Sequence, residues 1–494
     1  MKRKLFNILV VGLTLAGMTS CGGDFLDQNP TDALPDSEVA TPENAPKVFN
    51  GAWRYMFDTY FTLANPGYSA VLRQDDMMGD DIIAYPGKYG FTASYQFKDT
   101  PDKTIYRTRA FWTLHYKTID NCNTVISIES KTKDSELDKY RGMAYALRAF
   151  TYFSLVQHYQ FTYQKDKDAK CVPVYTEPTG PNTEPKAKST VGQIYALILS
   201  DLTNAQTLLQ GKDRSQKFEP NTNVVNGLFA RVYLVMGNYD EAAKAAVAAR
   251  DGYPLMPVGD YSKGFNDVGN VEWIWGHPQT PEQSNASYAF NYQDVVSPSS
   301  YYYSFMADPY FKELFTDSND IRLGLFEWIR DGYLGYKKFL FKGDKTADVV
   351  LMRSAEMYLV QAEALARQDN VNLTDAVAPL NELRSARGVA PYDATGKTRD
   401  EVINEILLER RRELWGEGFS LTDILRTEQA VVRRPYNGDP VLCRQIPGGA
   451  MKEYTPQGHY INQFPDKTAF VPNSTFYLYA VPETEENANP NLNK

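Results

Sequence analysis

The chain has 494 residues, 43% of them hydrophobic and 23% charged, with a formal net charge of −9, values ordinary for a globular protein. An acidic balance without a long Lys/Arg block excludes a phosphate-binding surface, so nucleic acid is not an expected partner. The unusual figure is aromatic content: 34 Tyr, 25 Phe and 6 Trp make up 13% of the chain.

Lys2, Arg3 and Lys4 precede a mostly apolar run from Leu5 to Met18, and Thr19, Ser20 and Cys21 close the segment with small side chains. That layout is a secretory signal. A spanning helix needs about 20 apolar residues, so cleavage before Cys21 is expected instead of a retained helix. The segment resembles the lipobox of bacterial lipoproteins, with Met18 where leucine is usual. Residues 1–20 are therefore expected to be a signal peptide and Cys21 the lipidation site, carrying fatty chains such as palmitate. Each buried methylene contributes about 0.8 kcal/mol, and two chains anchor stably to a membrane. Residues 21–44, rich in Pro, Asp, Asn and Thr, read as a tether. Cys122, Cys171 and Cys443 then leave room for one disulfide at most.

Helical pattern begins at about Ala45 and fills 104–130, 136–160 and 190–210. Asn223 to Pro254 is the most legible stretch. Ala230, Tyr233, Gly237, Tyr239, Ala242, Ala249 and Pro254 fall at the offsets where a tetratricopeptide repeat places small residues, tyrosines and its closing proline. A looser pair follows at 350–388, with Thr374 and Asp375 placed to cap its second helix and Gly388 to stop it. A third covers Thr398 to Thr427, where Glu409, Glu413 and Glu417 recur every four residues among Arg410, Arg411 and Arg412; ion pairs are the expectation there. One pair cannot bury its own apolar face, so the pairs should stack as a short solenoid. The expected fold is mainly α. Its single domain spans 45–494, with tetratricopeptide-like helix pairs at about 104–160, 190–254 and 350–428. Long irregular loop elaborations fill 64–103, 251–347 and 430–494, with minor short strands such as VEWIW at 271–275.

Several segments together resemble a known family. They are Asp24 to Asp27 with Pro30 after Cys21, FWTLHYKTIDNCNTVI, RGMAYALRAFTYFSLVQHY, RSAEMYLVQAEAL, LNELRSARG, LLERRRELWGEG and YAVPETEENANPNL, in that order. The order and spacing are similar to those of the SusD-like (RagB/SusD) surface glycan-binding lipoproteins of polysaccharide utilisation and nutrient uptake. The resemblance implies a non-catalytic protein on the outer membrane, facing the cell exterior. It also implies a partner, a SusC-like TonB-dependent barrel over which the protein sits as a hinged lid and to which it delivers oligosaccharide. Some relatives resemble peptide importers, which leaves peptide as an alternative cargo.

His115, His158, His277 and His459 are scattered, and no HExxH, paired CxxC, GxSxG or Walker loop occurs. No cofactor, zinc site or nucleophile is expected. A glycosidase needs only two facing carboxylates, so a surface glycoside hydrolase is the enzymatic alternative. Asp75, Asp76, Asp80 and Asp81 crowd one segment and could hold calcium, a cation that takes oxygen ligands; their spacing is not that of an EF-hand, and a solvated or helix-capping cluster fits it better. A saccharide needs flat aromatic faces on loops. The candidate binding residues are Tyr85, Tyr89, Phe91 and Tyr95 in one loop, and Trp273, Trp275, Tyr288, Tyr292, Tyr301, Tyr302 and Tyr303 in another. Alternation also puts Trp273 and Trp275 on one strand face that burial would claim.

Overall fold

A computed structural model describes residues 40–62, 64–281, 290–298, 300–369 and 371–494. Cys21, the leader, nearly all of the tether and Tyr288 lie outside the described residues. The long helices are α1 (Ala45–Phe57), α2 (Tyr68–Met77), α3 (Tyr106–Ser127), α4 (Ser135–Tyr159), α5 (Val191–Leu209), α6 (Thr222–Met236), α7 (Tyr239–Ala249), α8 (Ser354–Arg367), α9 (Ala378–Ala386), α10 (Arg399–Leu414) and α11 (Ser420–Arg426). Among the described residues no helix is long and apolar enough to cross a membrane.

Local chemistry starts and stops these helices. Asp134 caps α4 by accepting from Glu136 N and Leu137 N, and capping boxes open α5 (Thr190 with Gln193) and α10 (Thr398 with Glu401). The left-handed Gly237 ends α6, and the Asn223 amide donates to the carbonyls of Ala248, Ala249 and Asp251, tying the start of α6 to the end of α7. Ala230, Ala242 and Ala249 are fully buried in this repeat, because small residues let the two helices approach closely. α7 packs in turn on α8, and α8 on α9 and α10, so the helix pairs form the contiguous tetratricopeptide-like scaffold that the sequence pattern implies.

Among the described residues ten strands accompany it: β1 (Ile82–Ala84), β2 (Lys170–Pro173), β3 (Lys188–Thr190), β4 (Trp273–His277), β5 (Phe305–Ala307), β6 (Phe326–Ile329), β7 (Tyr333–Tyr336), β8 (Val349–Arg353), β9 (Val441–Arg444) and β10 (Met451–Tyr454). Six of them form one sheet in the order β1-β5-β7-β6-β9-β10. Every strand of that sheet comes from the three stretches expected as loops. Each has only three or four residues, too few for alternation to register. Helix α2 is a further correction to the expected 64–103 loop: all ten of its residues are buried, Arg73, Gln74, Asp75 and Asp76 included, so it carries no amphipathic stripe.

The Glu/Arg helix expected to form ion pairs does so in the interior. Glu413 accepts from Arg322, Arg353 and Arg387, Glu417 from Arg353 and Lys338, and Glu409 pairs with Arg322 and Arg412. Glu272, just before β4, joins Arg353 and Arg387. This buried cluster locks α10 to the antiparallel β4–β8 pair.

Candidate functional site

Antiparallel pairing of β1 with β5 sets Ala84 opposite Phe305, and Tyr85 N donates to Ser304 O at 2.9 Å. The chain leaving β1 and the chain entering β5 therefore emerge side by side. Two aromatic loops more than 200 residues apart in sequence meet at this sheet end. Tyr85 lies 5.6 Å from Tyr303 and 4.9 Å from Tyr333, Tyr89 lies 5.4 Å from Tyr302, and Tyr301 and Tyr302 are 6.5 Å apart, ring centre to ring centre. Tyr89 is 46% and Tyr301 68% exposed, whereas Tyr85, Tyr302 and Tyr303 are half-buried.

Polar groups sit among these rings. The Tyr85 hydroxyl donates to the Asp331 carboxylate; burial first, then that bond, holds the phenol above its ordinary range. The Lys88 ammonium lies 4.2 Å and the Arg330 guanidinium 3.6 Å from the centre of the Tyr303 ring, both within cation–π range. Tyr303 (φ 33°) and Arg330 (φ 46°) hold positive backbone angles, strain that surrounding structure must sustain. Gly90 is required by its surroundings. Its φ is 126°, and a Cβ there would meet the Tyr292 ring at 2.2 Å.

Five candidate rings are core instead of surface: Phe91, Tyr95, Trp273, Trp275 and Tyr292 are essentially inaccessible. Trp275 stacks edge-on against Trp53 and Phe150 and donates Nε1–H to Phe218 O at 2.7 Å. Tyr95 bonds His459 Nδ1 at 2.8 Å with Arg433 over its ring. Phe91 packs edge-on against Tyr292, which stacks in turn under Tyr302. Phe91 and Tyr292 thus brace Tyr302 from below, and none of the five buried rings presents an exposed face. Sequence reasoning missed Lys88, Arg330, Asp331 and Tyr333. A signal for the last three was there: Asp331-Gly332 between two aromatic runs is a hairpin turn.

The four aspartates do not converge on a cation. Asp75 takes His158 Nε2 at 2.9 Å, Asp76 takes Gly418 N at 2.7 Å, Asp80 takes Val432 N at 2.7 Å, and Asp81 forms a two-bond pair with Arg411. The carboxylates are drawn to different donors, with Arg411 also 3.8 Å from Asp80. Among the described residues no group of three or more His, Cys, Asp or Glu side chains is placed to hold a metal. Burial pulls His115 and His459 down to about 3 and His277 to about 4, which keeps all three neutral.

Comparison with known proteins follows the same outline. Residues 24–234 match a family model described as starch-binding and associating with the outer membrane, and residues 272–494 match the SusD family model. A SusD-like carbohydrate binding protein from Bacteroides vulgatus is 38% identical, with a TM-score of 0.86, covering 92% of this chain and 97% of that one. The chain belongs to the SusD family. A SusD-like protein of Formosa agariphila is 25% identical over 360 residues, 61% of this chain and 69% of that protein. A SusD superfamily protein from Bacteroides thetaiotaomicron, at 23% identity, shares the fold with a TM-score of 0.73 over 92% of this chain and 99% of its own. Both SusD-family matches bear on the site: the first holds β1 and the Tyr85 loop, the second β5 and Tyr301 to Tyr303.

Proposed function

We propose that this SusD-family chain binds oligosaccharide at the cell surface without catalysis and hands it to a SusC-like TonB-dependent outer-membrane barrel as that barrel's lid. A lipidated Cys21 holds it on the outer membrane, facing the exterior. The observation that carries the reading is the meeting of the two aromatic loops at the β1–β5 sheet end. Sugar rings present apolar C–H faces and a rim of hydroxyls, and exposed tyrosines with adjacent charged groups match both. Tyr89 and Tyr301 are the most exposed rings; Tyr85, Tyr302 and Tyr303 sit half-buried beside them. Tethering beside a pore raises local concentration, so modest intrinsic affinity suffices for delivery.

The test uses the chain without residues 1–21 on a glycan array, then calorimetry on the strongest hit, with chromatography of the incubated glycan. Binding without new products, lost in Tyr89→Ala with Tyr301→Ala, is the expected result. Turnover abolished by a single carboxylate substitution would establish the hydrolase instead. Co-purification with a barrel carrying no glycan but bound peptide would move the cargo assignment to peptide.

A further inference from the structure

Among the described residues Lys88 and Arg330 have no carboxylate partner. Lys88 makes no ion pair or side-chain hydrogen bond among the described residues, and its ammonium rests over Tyr303. Arg330 is only 5% exposed, yet no carboxylate lies within ion-pair distance of it among the described residues. A guanidinium has five N–H donors. Arg330 uses Nη1 on Val295 O, while Nε is buried with no partner. Arg433, also without a carboxylate, directs its donors to three carbonyls, those of Met77, Gly79 and Tyr95. Arg107, Arg148 and Arg353 each have an acid. Leaving a buried donor unmet costs free energy, and a buried charge costs more. Asp331, the carboxylate that touches the tyrosines, is held by the Tyr85 hydroxyl, and Glu327 nearby is closed on Arg444.

We infer that the tyrosine cluster is built for an anionic saccharide, a uronate or a sulfated sugar. Its ring lies against Tyr89 or Tyr301, and its carboxylate or sulfate accepts from Lys88 and the free edge of Arg330. Both cations contact the Tyr303 ring, which concentrates positive charge at this end of the sheet. Charge-assisted bonds of this kind are about twice as strong as neutral ones, and the guanidinium fork suits two-oxygen anions. The inference rests on the glycan-binding reading and narrows it to a chemical class.

The test is a glycan array probed with the chain lacking residues 1–21, followed by calorimetry. Each uronate hit is compared with its carboxyl-reduced form and each sulfated hit with its desulfated form, which separates the two sources of charge. Anionic members should lead the array, and neutralised counterparts should bind at least about tenfold more weakly. Affinity should also fall as salt rises from about 20 to about 300 mM. Lys88→Gln, at a half-exposed site, should reproduce the tenfold loss for anionic glycans and weaken neutral ones by clearly less, so that the preference for charge collapses; Arg330→Lys, checked by thermal melting, should retain part of the affinity. Equal binding of charged and neutralised forms, indifferent to Lys88→Gln, overturns the anion inference and leaves glycan binding intact. No binding to any saccharide overturns both.

Discussion

Replacing Arg353 by Met tests whether a buried ion cluster holds helix α10 against the antiparallel β4–β8 pair. Arg353 is 1% exposed and uses all five of its N–H donors. Nε goes to Glu417 at 2.7 Å, Nη1 to Glu272 and Glu413 at 2.6 Å each, and Nη2 to Glu417 at 2.7 Å and to the Glu413 carbonyl at 2.8 Å. After the substitution Glu272 keeps Arg387, Glu413 keeps Arg387 and Arg322, and Glu417 keeps Lys338. No carboxylate is stranded. The loss should therefore fall inside, and not above, the roughly 3–5 kcal/mol typical of breaking a buried pair. Domains are commonly stable by about 5–15 kcal/mol, so the variant should be folded but marginal. Glu413→Gln should cost less. Each of its three arginines keeps another acid: Glu272 for Arg387, Glu272 and Glu417 for Arg353, Asp320 and Glu409 for Arg322. The assay is urea unfolding followed by tryptophan fluorescence, with slopes compared to confirm that the same transition is read. If Arg353→Met lies within about 1 kcal/mol of the parent, or if Glu413→Gln is the worse of the two, the cluster is not what fixes α10.

Three further outcomes follow from the same structure. Burial raises the Asp76 carboxyl from its ordinary 3.8 to about 7, against the pull of Arg73 and the amides of Gly418 and Ser420. A raised carboxyl stabilises the fold at low pH and loses that contribution as pH rises through the folded value. Asp76→Asn should gain on the parent progressively between pH 4 and 8, and a constant difference across urea melts in that range would show an ordinary carboxylate. Gly418→Ala should be strongly destabilising, because φ is 88° and the new Cβ would sit 2.8 Å from Leu72 Cα; an unchanged melting temperature would contradict it. Cys122 and Cys171 are buried free thiols whose ionisation burial suppresses, so a thiol reagent should label them only in urea, and rapid labelling of the native chain would refute that.

The aromatic loops show where sequence reading stops. Asn223 to Pro254 declares its helix pair because turns, small residues and period are all local. Whether a tyrosine in an irregular loop faces in or out has no such local rule. Tyr89 and Phe91 are two residues apart, yet one is open and the other sealed under Arg107. The alternation in β4 did point to buried tryptophans, and Trp273 and Trp275 are both core.

Composition, periodicity and motif order by themselves determined a mainly helical, repeat-based chain of the SusD family, with its ion-rich helix at 399–414. They do so because helices are written in contacts a few residues apart. The six-stranded sheet, the juncture of Tyr85 with Tyr303, the different partners of the four aspartates and the unpaired state of Arg330 were decided only in three dimensions. Strands of three or four residues drawn from opposite ends of the chain carry almost no local pattern, and their pairing depends on a core that exists only once the helices have packed.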